Sequence, residues 1–432
     1  MTRREAFAGI RVLDLGTFWA GPYLGSLLGT MGADVVKVEG PRRVDGFRFL
    51  AAFPQQGSRW YELSGLFQAT NLNKLGLTLD LGTDDGRAVL ERLVASADVV
   101  IENFSPRVIE QFGFGYPALA AINPRIVMIR MPGYGLEGSW RDFVGFGNSF
   151  EYAGGIGWIT GDPDGPPLGP GGYADPLVAM HGALALVAAL RDRERTGRGQ
   201  LIELVQAEVV AAMTPEPVLH HALTGEVLGR TGSRSPEFAP QGVYPCRGED
   251  EWLALTVRDE ADWKRLVAIV GDPPGLPAAR LTTLDGRRAE HDALDRWLSA
   301  WTRDRDPAAT AALLQEAGIP AAKVLTPAAM YDDPQLTATG YYQSIEHPLS
   351  GIRRYPTWPL RYRDSDGADP GTGAGIRLTH RFRSPLLGEH NEEILRRRLG
   401  MSPEEIDELR RRGVISERML GTDEERDDDG DT

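Results

Sequence analysis

The sequence predicts an α/β chain in two parts, a parallel sheet of strand–helix units covered on both faces and a smaller α+β part. Three observations carry this. Short apolar runs alternate with helical stretches from Ile10 to Met131, the rhythm of parallel βα units. That rhythm breaks in a glycine- and proline-rich middle and restarts after Gly242. The 432 residues also exceed what one ordinary core accommodates.

Ile10–Leu15 reads as a buried strand, and Gly21-Pro22 opens a helix to about Met31, since proline suits a first helical turn. Ala33–Glu39 and Leu77–Leu81 read as strands, and Asp84–Ser96 as an amphipathic helix with Val89, Leu90 and Leu93 on one side. Ala97–Glu102 is a strand, Pro106–Phe112 a short helix and Arg125–Met131 a strand. Gly145–Gly172 is read as loop. Pro176–Arg195 is a long helix that stops before Thr196-Gly197-Arg198-Gly199, followed by the strand Gln200–Val205 and the helix Ala207–Leu223. The polar stretch from Gly225 to Gln241 is read as a linker. The second part holds strands at Val243–Cys246 and Trp252–Val257 and helices at 260–270, 291–302 and 307–318, ending near Pro327. Tyr355–Tyr362 is strand-like, and Asn391–Leu399 and Pro403–Arg412 are helical.

Apolar content of 42% and charged content of 25% are ordinary for a globular chain. No run of about eighteen apolar residues occurs, and Met1–Ala8 lacks an apolar signal core, so a cytoplasmic chain without a membrane span is expected. Cys246 is the only cysteine, which rules out an internal disulfide and a cysteine zinc cluster; it reads as a small buried residue. The net charge of −14 argues against nucleic acid as a partner. Part of it sits in the tail 421–432, where seven acidic residues face Arg426, and disorder is expected there. An anionic ligand therefore needs a local cationic pocket.

Several residues fall where chemistry can sit. Thr17-Phe18-Trp19-Ala20-Gly21-Pro22 joins a strand to a helix start, which presents backbone N–H groups to an anion. It matches neither the dinucleotide fingerprint nor the nucleotide-triphosphate loop, so an ordinary turn is the other reading. Arg42, Arg43 and Arg48 follow the next strand, as phosphate ligands or as solvated loop charges. Asn103-Phe104 follows the fourth strand; Asn103 is a reader of an amide or base, or a cap for the helix at Pro106. Asp175-Pro176 is an N-cap followed by proline at the first helical position, or a reactive carboxylate kept ionised by the helix start. His181 lies six residues on, off the same helical face, and reads as a buried structural histidine.

These segments together resemble the class III CoA-transferases of the formyl-CoA and carnitine type, a family that includes α-methylacyl-CoA racemases. The matching stretches are VLDLGTFWAGPYLGSLLGTMGADVVKVEGP, the D-x-x-R of Asp45–Arg48, NLNKLGLTLDL, ADVVIENFSP, GYADPLVAMHGALAL, RTGRGQLIELV and PLLGEHNEEIL, in order from residue 10 to about 415. The resemblance implies a large Rossmann-like domain containing both chain ends (1–224 and 328–420), a linker at 225–241, a small domain at 242–327, and an interlocked-ring homodimer. It places coenzyme A at Trp19, Ala20, Leu79, Asn103 and Phe104, with Arg42 and Arg43 as substitutes for the family's usual basic residue, which is Gly40 here. A helix position often basic in formyl-CoA transferase is Gln111, and that enzyme's glycine-rich flap is not visible, so oxalate and formate are not expected substrates.

The resemblance makes Asp175 the nucleophile that moves coenzyme A from an acyl-CoA to a carboxylic acid, through a mixed anhydride and an aspartyl-CoA thioester. No metal or redox cofactor is expected. Glycines 154–155 and 169–172 are expected to form a mobile cover that excludes water. A racemase is the first alternative; it needs two bases, and Gly145 occupies the position of the family's racemase histidine. A non-catalytic acyl-CoA-binding protein is the second.

Overall fold

The computed structural model describes residues 5–50, 57–362 and 378–421, so the acidic tail lies outside the described residues. Two compact units are formed. The first comprises the described residues of Met1–Ile156, Gly169–Val218 and Ala338–Thr432; the second takes Gly157–Leu168 and Leu219–Thr337.

The first unit is built on a six-stranded parallel sheet: β1 (Arg11–Asp14), β2 (Asp34–Glu39), β3 (Lys74–Thr78), β4 (Val99–Glu102), β5 (Val127–Arg130) and β6 (Gln200–Glu203), in the order β3-β2-β1-β4-β5-β6. Strand order reverses between β1 and β4, the point at which open α/β sheets bind ligands at the carboxyl ends of their strands. Strand residues alternate between two cores. Leu13, Val36 and Val100 face one side with the helices Asp84–Val94 and Asn391–Leu399; Val12, Val35 and Val99 face the other with Ala20–Thr30 and Ala174–Thr196. The chain end returns to β3, where the Asn391 carboxamide oxygen accepts the Thr78 N–H at 2.9 Å.

Several elements differ from expectation. β3 starts and ends three residues early, because its first residue, Lys74, is a fully buried ion-pair partner of Asp14 rather than an apolar one. The loop expected at Gly145–Gly172 contains the helices Gly147–Ala153 and Ile156–Ile159. The helix expected at 207–223 is two helices, Gln206–Ala212 and Pro215–Thr224, interrupted before Pro215, which disfavours helical backbone in its predecessor. The expected strand at 355–362 is the end of a hairpin, β10 (Tyr342–His347) with β11 (Gly351–Pro356). The helix Tyr116–Ile122 was not legible. Ala174–Thr196 is long and apolar enough to cross a membrane by length and composition alone, a test that core helices also pass, and its residues Val178, Ala179 and Leu186 sit in the core.

The second unit carries an antiparallel sheet of β7 (Gln241–Pro245), β8 (Trp252–Thr256) and β9 (Ala321–Lys323). Helices around Trp263, Leu294 and Leu314 bury its apolar face. Cys246 is buried in that core, and burial pushes its thiol up.

Candidate active site

The loop after β1 is held in an unusual shape by named partners. Phe18 has φ +61°, a left-handed conformation that costs a non-glycine residue about 1–3 kcal/mol. Asp45 stabilises it: one carboxylate oxygen accepts the N–H groups of Phe18 and Phe47 at 2.9 Å each, and the other pairs with Lys37 at 2.8 Å. Lys37 also donates to the Gly16 carbonyl. Gly16 and Gly21 lie so close that a Cβ on Gly16 would come 2.8 Å from the Gly21 Cα.

Asn103 bonds both backbone groups of Thr17, accepting its N–H at 2.8 Å and donating to its carbonyl at 2.9 Å. Ser105 stands at the N-cap of the Pro106 helix, without a side-chain cap bond, so Asn103 is not its cap; it ties the ends of β1 and β4 together. Phe104 packs against the core beside it and gives its N–H to Glu102.

The three arginines separate. Arg48 is fully buried, bonded to Glu39 at 2.8 Å and to Glu62 at 2.6 Å, with its guanidinium 3.6 Å from the Phe67 ring centre. Burial alone would raise the Glu39 carboxyl, but Arg48 holds it down at about 2. Arg48 is therefore a core residue and not a ligand, a correction to its reading as a phosphate contact. Arg42 and Arg43 remain exposed, Arg42 within 3.9 Å of Asp80. Leu79 is buried and gives its N–H to the Glu39 carbonyl. Its side chain presents no surface to a ligand.

Asp175 lies at the start of the helix Ala174–Thr196, but it does not cap it. Tyr173 is the N-cap and makes no side-chain cap bond, so Asp175 is the second helical residue. The cap comes from elsewhere. Glu151, 1% exposed on the helix Gly147–Ala153, accepts N–H groups from Gly171 (3.1 Å), Gly172 (2.9 Å), Tyr173 (2.7 Å) and Ala174 (3.3 Å). The same bonds, with Gly169 N–H to the Tyr152 hydroxyl at 2.9 Å, tie down Gly169, Gly171 and Gly172, one of the two segments expected as a mobile cover. Asp175→Ala removes no cap, contrary to the stability loss the cap reading implied.

The Asp175 carboxylate faces the loop after β1, where the nearby Ala20 N–H favours its ionised form. On its other side is Gly147, where any Cβ would collide with a carboxylate oxygen. Trp19 closes a third side against Gly172, whose φ of +114° admits only glycine comfortably. Burial, reinforced by the Glu151 charge and opposed by the Ala20 N–H, pushes the Asp175 carboxyl up to about 6. The helix start was expected to keep it strongly ionised; the N–H groups of Gly171 to Ala174 are held by Glu151, which leaves it only its own N–H from that helix. Phe18 stacks edge-on with Phe146 at 5.1 Å and Phe47 at 5.8 Å, making an aromatic wall beside this carboxyl.

The structure thus brings Trp19, Ala20 and Asp175 together and sets Asn103 behind their loop. Glu151, Gly147 and Asp45 were missed. Asp45 was visible only as part of a motif, and Glu151 is one acidic residue in a stretch read as loop. His181, expected to be buried, is exposed, with Nδ1 at 2.8 Å from the Leu177 carbonyl of its own helix. Among the described residues no three His, Cys, Asp or Glu side chains are arranged to hold a metal.

The chain matches the model of CoA-transferase family III over residues 7–391. It is 33% identical over 408 residues to a succinyl-CoA–D-citramalate CoA-transferase of Chloroflexus aurantiacus, covering 94% of this chain and 97% of that protein. It is 30% identical over 440 residues to a formyl-CoA:oxalate CoA-transferase of Rhodopseudomonas palustris, covering 95% and 97%. The crystal structure of a CAIB/BAIF family protein from Brucella suis superposes with a TM-score of 0.80 at 29% identity, over 91% of this chain and 99% of that one.

Proposed function

This chain belongs to CoA-transferase family III and transfers coenzyme A from an acyl-CoA to a carboxylic acid, and we propose that Asp175 is the group that carries the transfer. The observation that supports this most is its setting: a carboxyl raised to about 6, beside the Ala20 N–H that follows β1, the strand where the sheet order reverses. At neutral pH it is mostly ionised, yet more basic than an exposed aspartate.

In the proposed reaction an Asp175 oxygen attacks the donor thioester carbonyl and the C–S bond breaks, giving a mixed anhydride and coenzyme A thiolate. The thiolate attacks the aspartyl carbonyl, releasing the donor acid and leaving an aspartyl thioester. The acceptor carboxylate attacks this thioester and expels the thiolate again. The thiolate then attacks the acceptor's acyl carbon, forming the product thioester and freeing Asp175. Each step exchanges one leaving group, which divides a difficult transfer into easier ones. The Ala20 N–H is a fixed donor for the developing oxyanion.

Coenzyme A is proposed to follow the carboxyl ends of the strands. Trp19 and Ala20 lie next to the thioester, Asn103 and Phe104 hold that loop, Leu79 offers backbone only, and Arg42 and Arg43 meet the phosphates. A cytoplasmic homodimer accompanies this reading. On the helix Ala174–Thr196, Met180, Leu184 and Val187 form an exposed stripe at helical spacing, with Leu184 71% exposed, which a second copy would cover. Light scattering at twice the 47.3 kDa chain mass is the expected result. The direct test of Asp175 is trapping. Acyl-CoA with hydroxylamine should convert Asp175 to a hydroxamate seen by peptide mass, and a hydroxamate at another carboxylate would displace Asp175 from this role.

A further inference from the structure

We propose that Glu151 is a positioning residue for the transfer: its buried carboxylate gathers the N–H groups of Gly171, Gly172, Tyr173 and Ala174, fixes the helical turn that carries Asp175, and withholds those donors from it. This rests on the reading of Asp175 as nucleophile.

The first N–H groups of a helix lack intrahelical partners and are usually met by an N-cap side chain. Tyr173 supplies none. Glu151 reaches in from the helix Gly147–Ala153 instead, and its bonds to 171–174 are all to backbone N–H groups. Three of the four converge on Oε1, so one oxygen carries most of the geometry. The same short helix begins at Gly147, which touches the Asp175 carboxylate. One element therefore both shapes the nucleophile's pocket and anchors the nucleophile's own helix.

The electrostatic consequence is specific. A free helix start favours a carboxylate beside it. With a carboxylate already seated there, Asp175 meets a like charge, which adds to burial in raising its proton affinity. The helix Gly147–Ala153 presents Glu151 to Asp175, the helix Ala20–Thr30 presents the Ala20 N–H, and on Asp175's own helix His181 points to solvent. A more basic carboxylate is the better nucleophile, provided it stays ionised at working pH.

Glu151→Gln keeps the Oε1 acceptor and removes the charge. The acid limb of kcat/KM should move to lower pH by roughly half a unit or more. Glu151→Ala leaves the N–H groups without an acceptor; kcat should fall about tenfold or more from misplacement of Asp175, with KM for acyl-CoA little changed. Glu151→Gln should restore most of that loss. A purely structural role would lower the melting temperature without moving the acid limb. If Glu151→Gln turns over too slowly for a profile, ¹³C NMR of the Asp175 carboxyl, assigned by its loss in Asp175→Asn, reads the titration directly. An unmoved midpoint in Glu151→Gln, or wild-type kcat in Glu151→Ala, overturns the proposal. Transfer surviving in Asp175→Asn would refute the nucleophile reading instead, while the NMR midpoint still decides whether Glu151 acts on Asp175.

Discussion

Two helix starts meet at Asp175, and they are furnished differently. The helix Ala20–Thr30 opens without a side-chain cap at Trp19, and its Ala20 N–H faces the Asp175 carboxylate. The helix Ala174–Thr196 opens with its N–H groups engaged by Glu151. One start turns its Ala20 N–H toward the Asp175 carboxylate; the other gives it only Asp175's own N–H, since those of Tyr173 and Ala174 are held by Glu151. The attraction of a helix start for an anion is local and is saturated by whichever carboxylate arrives first. Burial first, and then the Glu151 charge, push a residue in the first turn of a long helix up to about 6 and not down.

The sharpest way to break this comparison is Asp175→Asn. Transfer should drop to background in an acyl-CoA-to-acid assay, since an amide forms neither anhydride nor thioester, and the wild-type kcat/KM should fall on the acid side with a midpoint near 6. A smaller but still large effect is expected for Gly147→Ala, whose new methyl displaces the Asp175 carboxylate. Its kcat should fall about 10- to 100-fold with coenzyme A affinity nearly unchanged by calorimetry.

Arg42→Ala with Arg43→Ala tests the exposed cations against the buried one. Coenzyme A affinity should weaken by about 1.5–3 kcal/mol for each charged hydrogen bond lost, with the fold intact. Arg48→Ala should instead destabilise the whole chain by about 3–5 kcal/mol, because Glu39 and Glu62 are left buried without their partner.

The smallest predicted effect concerns stability. Burial raises the Asp175 pKa in the folded state above its unfolded value of 3.8, so the folded form binds the proton more tightly. Ionised Asp175 then costs stability, fully above about pH 6 and not at all below the unfolded carboxyl range. Asp175→Asn should therefore gain about 1 kcal/mol at pH 8, measured by urea denaturation, and lose that gain by pH 3.

Much of the sheet was legible because its strands are short apolar runs buried on both faces. Where charge intruded, the reading slipped. β3 was placed late because Lys74 looks like a surface residue until Asp14 is beside it. The helix Gly147–Ala153 was read as loop because its buried face is Phe150 and Glu151, and a buried glutamate carries no apolar signal.

What the sequence determined by itself was the alternation of strands and helices, the positions of Asp175 and the Thr17–Pro22 loop, and the family resemblance that joined them, because these depend on local periodicity and on residue order. Tertiary structure alone decided which acid caps the helix that carries Asp175, and which arginines are exposed. Glu151 and Asp175 are 24 positions apart, and Arg48 finds its partners at Glu39 and Glu62. Whether a charge is paired, capped or exposed is a property of its three-dimensional neighbours, since burial penalises it and only a specific donor or counter-charge at hydrogen-bond distance offsets that penalty.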